Sequence, residues 1–242
     1  MVNYAGYYVL ILSIMLFSCS DEAKKNDNKS LAADTTELQK LKDSLSNVAH
    51  IRLRDSLLSG ADSNWVDLSV LIPDAKFDIR YAGANNFMKT QTYDCPACYV
   101  RLIVAKSLIA AEKSLDSLGL GFIFYDCYRP ASAQWKLWEK MPDPRYVLPP
   151  NYGSNHSRGI AVDLGLIERK NGKILDMGSA FDHFGVESWL SYKDHSDTVK
   201  KNRIILLNVM QNNNFSFYNR EWWHFDFKRK DFSLSDFKWN CN

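Results

Sequence analysis

The chain has 242 residues, 46% hydrophobic and 13% aromatic, with 30 basic and 28 acidic side chains and a formal net charge of +2. That much apolar material buries one substantial core, so a single domain is expected once the chain ends are set aside. The charges nearly cancel and no Lys/Arg run is dense, which excludes the basic footprint a nucleic-acid partner requires.

Near the start, "YYVLILSIMLF" is an apolar run too short to span a bilayer but of the length of a signal-peptide core. It ends in "LFSC", a small residue before a cysteine, which resembles a bacterial lipobox. The resemblance implies that residues 1–18 are a lipoprotein signal peptide and that Cys19 becomes the lipidated first residue. Two or more acyl chains anchor stably, since each buried methylene contributes about 0.8 kcal/mol. The expected setting is therefore the cell envelope: exported, held to the outer membrane by lipid, and facing the periplasm. Residues 19–34, which include "SDEAKKNDN", read as a flexible tether because their first half has almost nothing apolar to bury. Residues 35–61 read as a helical spacer, with Leu38, Leu41 and Leu45 at helical spacing among charges.

The domain is expected over residues 62–242. "WVDLSVLIPDAKFDIRYAG" carries strand-type residues and a Pro-Asp turn. A long helix follows over Val100–Leu118, with one apolar face and Gly119 as its stop. "GFIFYD" reads as a buried strand, and Pro130 suits the first turn of the helix behind it. "GIAVDLGLIERKNGKIL" reads as a strand, an Asn-Gly turn at Asn171 and Gly172, and a returning strand. A helix across Asp197–Met210 and a last strand through Trp223–Phe227 complete an α+β fold, a central and mostly antiparallel sheet flanked by helices.

Chemistry concentrates in two stretches. In "SNHSRGIAVDLG", His156 and Asp163 lie either side of a glycine that turns the backbone into a strand, and "NREWWHFDFKRK" adds Glu221 and His224. Two imidazoles and a carboxylate, with a fourth position open, are a normal ligand set for catalytic zinc. Glu221 and His224 are three apart and point to opposite faces of an ideal strand. They serve one metal only if the acid precedes the strand or sits on a bulge. Trp222 and Trp223 read either as walls of the pocket or simply as core aromatics.

These residues carry a family resemblance. Ser154, His156, Gly159, Ala161 and Asp163 form an S-x-H-x-x-G-x-A-x-D pattern. Together with "EWWHF" and with "YDCYRP" from Tyr125 to Pro130, it resembles the VanX-type D-alanyl-D-alanine dipeptidases, zinc peptidases related to D,D-carboxypeptidases and the Hedgehog signalling domain. The resemblance implies one zinc ion per chain held on the sheet by His156, Asp163 and His224, with Glu221 as general base and Arg129 stabilising the transition state. It also puts Asp182 near a substrate ammonium, with Asp176 as the rival carboxylate, and Ser154 near the bound peptide. His183 is close enough in sequence to line the pocket but, like His195, reads as a surface histidine; Tyr81 or Asn86 would add a wall. The implied reaction is hydrolysis of the D-alanyl-D-alanine dipeptide in cell-wall peptide metabolism. The alternatives are a D,D- or L,D-carboxypeptidase trimming peptidoglycan stem peptides, and a non-enzymatic zinc-stabilised binding domain.

With Cys19 assigned to lipid, Cys95, Cys98, Cys127 and Cys241 remain, an even number in a compartment that permits disulfides. Three pairings are possible. A Cys98–Cys127 bridge is favoured, because it would stiffen the segment beside Arg129.

Overall fold

The computed structural model describes residues 37–229 and 231–241. The expected signal peptide over residues 1–18, Cys19 and the expected tether over 19–34 lie outside the described residues. Residues 37–58 form a helix, α1, on which Leu38, Leu41 and Leu45 are exposed. The chain divides into two compact units, the second beginning at Arg54. Among the described residues, no helix is long and apolar enough to cross a membrane.

The second unit is α+β. A five-stranded sheet has the order β2 (Lys76–Phe77), β4 (Leu120–Asp126), β5 (Ala161–Glu168), β7 (Glu221–Phe227), β6 (Phe215–Tyr218). Only the β2–β4 pair is parallel. A separate antiparallel ribbon joins β1 (Trp65–Asp67) to β3 (Tyr99–Arg101). Every residue of β4 is buried, and all of β5 but Glu168, so the two central strands read as continuous apolar runs rather than alternating ones. The core joins Phe122, Phe124, Leu164 and Phe225 of the sheet to Leu102, Ala105 and Leu108 of one helix and Leu206 and Met210 of another. Each large side chain so buried contributes about 1.5–3 kcal/mol.

The short helix α2 (Leu68–Leu71) is capped by the Asp67 carboxylate, which accepts the Ser69 N–H. The long helix α3 runs over Leu102–Ser114, two residues later than the apolar pattern suggests. Tyr99–Arg101 are drawn into the ribbon instead, and the Arg101 and Leu102 N–H groups donate to Gly159 and Asn64 carbonyls. Its end tightens into a 3-10 turn, and Gly119 closes it at φ 66°. Helix α4 (Ala131–Lys140) follows Pro130, and α5 (Asp197–Asn212) is capped by Ser196, whose hydroxyl accepts the Val199 N–H.

One expectation needs correction, and one strand was not expected. The strand returning after Asn171–Gly172 shrinks to an isolated bridge, Ile167 to Ile174. The Asp176 carboxylate accepts the Gly178 N–H and, with Gly178 at φ 82°, turns the chain away from the sheet. The sheet instead gains β6, which pairs with β7 through a tight turn at Asn219 and Arg220. Beyond β7 the chain runs back over the domain without regular structure. Ser235 bonds to the Ser157 carbonyl and to the Ala131 N–H, and Cys241 is joined to Cys95.

Candidate active site

The site is built on a row across the sheet. In β5, Asp163 pairs directly with His224 of β7 on one side and with Asp126 of β4 on the other. The ladder between β4 and β5 slips at Tyr125, a bulge that brings Asp126 level with Asp163. His156 arrives from the 3-10 turn His156–Arg158, where the Ser154 hydroxyl accepts the His156 N–H at 3.2 Å. Gly159 ends that turn at φ 74°, and a Cβ there would stand 2.2 Å from the Trp65 ring. Only glycine allows both the left-handed backbone and the close approach.

Three donor atoms converge. His156 Nε2 lies 3.2 Å from His224 Nδ1 and 3.4 Å from Asp163 Oδ1, and His224 Nδ1 lies 3.0 Å from the same oxygen. Four ligands placed tetrahedrally at zinc bond lengths of about 2.0–2.1 Å stand about 3.3–3.4 Å apart, so this triangle fits one such ion. The outer nitrogens fix the same choice. His156 Nδ1 donates to the Cys127 carbonyl at 2.7 Å, and His224 Nε2 is 3.1 Å from Asp226 Oδ1. Each imidazole thus spends its proton outward and turns a lone pair inward.

The electrostatics favour a cation at this point. Burial opposes ionisation of Asp163, but His156 and His224 outweigh it and hold the carboxyl far below its usual range. Burial likewise disfavours a charged His224, yet with no ion bound Asp226 and Asp163 together keep its pKa well above the ordinary imidazole value, so a metal cation binding here displaces the proton on its inner nitrogen. Asp226 is held at about 2, burial notwithstanding, chiefly by His224.

Glu221 meets the geometric demand that the sequence posed. The β6–β7 register jumps from Phe217–Phe225 to Tyr218–Glu221, so the alternation of β7 breaks between them. As a result Glu221, Trp223 and His224 all line one cavity. Burial, reinforced by Asp163 and Asp182, pushes the Glu221 carboxyl up to about 8 against the pull of His224 and Arg129. Trp223 is both wall and core, whereas Trp222 packs in the core and donates its indole N–H to Ser179.

Arg129 also lines the cavity and is held rigidly. Its Nε and Nη2 donate to Asp126 Oδ2 at 3.0 and 2.7 Å, and its Nη1 donates to Gln134 at 2.8 Å. Burial disfavours the guanidinium charge, but Asp126, Tyr81, Tyr93 and Asp163 together more than offset this. Asp126 is itself wholly buried and accepts the Tyr93 hydroxyl and the Cys127 N–H. Cys127 is bonded to Cys98, which ties this segment to β3.

Asp182 lines the cavity at φ 62° and accepts the Tyr81 hydroxyl at 3.2 Å on either oxygen. Burial, then repulsion from Asp163, raises its carboxyl to about 8. Ser154 and Tyr81 line the cavity too. Asn86 does not: its side chain is spent on the Arg80, Gly83 and Thr90 carbonyls. Asp176 serves the Gly178 turn, while His183 and His195 are occupied with Glu187 outside the cavity. Three supports were not foreseen: Asp126, Gln134 and Asp226. Two of them stand inside the quoted motifs, as the acid of "YDCYRP" and the acid two after His224; Gln134 has no signal of its own.

The cavity has a volume of about 190 Å³. That is below the roughly 300–1,000 Å³ of pockets for drug-sized ligands and suits a small substrate. The loop from Pro144 to Leu148 forms part of its wall, where Tyr146 packs on Phe184 at 4.7 Å and the Arg145 side chain is largely exposed.

Paired imidazoles and a carboxylate in such a triangle, with an acid and a fixed arginine beside them, define a metal-dependent hydrolase. Known proteins narrow the class. Residues 61–238 match the peptidase family M15 model described as D-ala-D-ala dipeptidase. The chain is 38% identical over 165 residues to the D-alanyl-D-alanine dipeptidase of Escherichia coli (strain K12), covering 66% of this chain and 83% of that one. It is 27% identical over 190 residues to the D-alanyl-D-alanine dipeptidase of Enterococcus faecium, covering 70% and 94%. The same enzyme of Enterococcus faecalis (strain ATCC 700802 / V583) is also 27% identical, over 184 residues. The chain belongs to the M15 D-Ala-D-Ala dipeptidase family.

Proposed function

We propose that the protein hydrolyses the D-alanyl-D-alanine dipeptide to free D-alanine, using one zinc ion held by His156, Asp163 and His224. The observation that carries this reading is the triangle of donor atoms 3.0–3.4 Å apart with Glu221 brought onto the same face by the β7 irregularity. A zinc ion, when bound, supplies Lewis acidity, polarising the scissile carbonyl and lowering the pKa of water to about 7.

The chain's own residues do the rest. Glu221, which lines the cavity beside the triangle and would be ionised with a cation held there, takes the proton of the attacking water and then gives it to the leaving amine. Arg129, unable to swing because Asp126 and Gln134 grip it, donates to the carbonyl oxygen as negative charge gathers there. Asp182 pairs with the substrate ammonium, whose charge returns the carboxyl to its ionised form. Ser154, whose hydroxyl oxygen already accepts the His156 N–H, keeps its own proton to donate to the bound peptide. A carboxylate at the ammonium end makes the site a length filter, since a longer peptide would bury Asp182 without a partner.

Lipidation at Cys19, release of residues 1–18 and a helical spacer would hold the enzyme at the envelope, facing the periplasm, where dipeptides released from cell-wall peptides occur. The sequence features supporting this are the apolar run and "LFSC".

The test compares D-alanyl-D-alanine with a stem pentapeptide ending in the same two residues. The dipeptide should be cleaved with far the higher kcat/KM, and Glu221→Ala should abolish the reaction while keeping its zinc. Efficient release of D-alanine from the pentapeptide would make the protein a carboxypeptidase instead. Full activity in Glu221→Ala would overturn the mechanism.

A further inference from the structure

A dipeptide carries a charge at each end, and the reading above assigns a partner to only one of them. Resting on that reading, we infer that Arg145 is the specificity residue that binds the C-terminal carboxylate of the substrate.

Among the described residues, the cavity is lined by two arginines and no lysine. Arg129 is not available for the carboxylate. It is buried and gripped by Asp126 and Gln134, and the N–H groups this leaves are those given to the reacting carbonyl. Arg145 is different. Its Nε and Nη2 hold the Asp143 carboxylate, which fixes the plane of the guanidinium. Its Nη1 makes no hydrogen bond among the described residues, and the head is largely exposed at the cavity. A planar cation with one edge anchored and another free is suited to receive a carboxylate.

Position supports the same end of the substrate. The Tyr218 hydroxyl donates to the Arg145 carbonyl at 2.9 Å, and Tyr218 pairs across the hairpin with Glu221. Arg145 is therefore tied to the strand pair that carries the base. Glu221 delivers its proton to the leaving nitrogen, so the leaving residue lies on the Glu221 side. Its carboxyl carbon is only about 2.5 Å from that nitrogen, two bonds away through Cα. Asp182 is held by a different contact, the Tyr81 hydroxyl, and the reading above gives it the ammonium. The two charges of the substrate are thus read by two separate loops, and Asp143 acts as the residue that aims Arg145.

The experiment uses the zinc-loaded protein, D-alanyl-D-alanine and its C-terminal amide, in wild type and Arg145→Gln. Wild type should prefer the carboxylate to the amide by about tenfold or more in kcat/KM, the size of one charge-assisted hydrogen bond at a partly exposed site. Arg145→Gln should raise KM for the carboxylate by about tenfold with kcat little changed, leave the amide unaffected, and so erase the preference. Arg145→Lys should restore part of it. An unchanged carboxylate-to-amide ratio in Arg145→Gln, or no preference in wild type, overturns the inference. Should the protein cleave the pentapeptide and not the dipeptide, the same ratio measured on the pentapeptide and its amide still decides the role of Arg145, because both end in the same group.

Discussion

Asp163 and His224 face each other across β5 and β7 with 3.0 Å between a carboxylate oxygen and Nδ1, and His224 is braced from behind by Asp226. The brace decides which imidazole nitrogen turns inward. Asp226→Asn should lower zinc affinity by about 10–100-fold, the usual effect of losing such an outer partner. Competition against a chelator measures it, and unchanged affinity would mean that Asp226 does not orient the ring.

Arg129→Lys should cut kcat by about 10²–10³-fold, since lysine cannot keep the fork on Asp126 and still reach the carbonyl. Asp126→Asn should lower kcat in the same direction through Arg129. It should also destabilise the fold by about 3–5 kcal/mol, because it leaves a buried guanidinium poorly paired. Steady-state kinetics beside denaturant melts separate the two effects.

Asp182 gives a pH-dependent signature. Its carboxyl is raised to about 8 in the folded chain, first by burial and then by Asp163, against about 3.9 when unfolded. Between these values the folded state holds a proton that the unfolded state has lost. The stability it contributes is therefore fully present below about pH 4 and lost as pH rises through 8. Asp182→Asn suits the same left-handed backbone and cannot ionise. With metal chelated, the variant should match wild type near pH 4 and exceed it by about 1–3 kcal/mol at pH 8, a range reduced because the side chain is only half-buried. Urea melts across that range would expose a failure as parallel curves.

The bridge between Cys98 and Cys127 closes a loop with a sequence separation of 29 and steadies the Cys127 carbonyl that receives His156. Replacing both cysteines with serine should cost about 2–4 kcal/mol of stability. It should also weaken zinc binding, which a purely global effect would not do at temperatures well below unfolding. Chelator competition at such a temperature tests the second part.

Much of this site was legible because its chemistry sits in short, composition-marked stretches. His156 and Asp163 flank a glycine with a conformational reason to be there, and the three-residue spacing of Glu221 and His224 forced the question of a bulge, which the β6–β7 register answers. The buried strand β4 was readable because Leu120–Asp126 is apolar nearly throughout. The ribbon that takes Tyr99–Arg101 from the helix was not, since its partners are Trp65–Asp67 and Gly159, which are distant in sequence. The tail that returns Ser235 to Ser157 has no periodicity to betray it. Gln134 was missed for a similar reason. On a helix it looks like any surface glutamine until Arg129 is seen against it.

Anomalous diffraction recorded above and below the zinc absorption edge, on crystals of the protein prepared without added chelator, tests the account at its centre. It predicts one peak per chain at about 2.0–2.2 Å from His156 Nε2, His224 Nδ1 and an Asp163 oxygen. A peak bound by other residues, or those three side chains engaged with one another and no zinc signal between them, would contradict it.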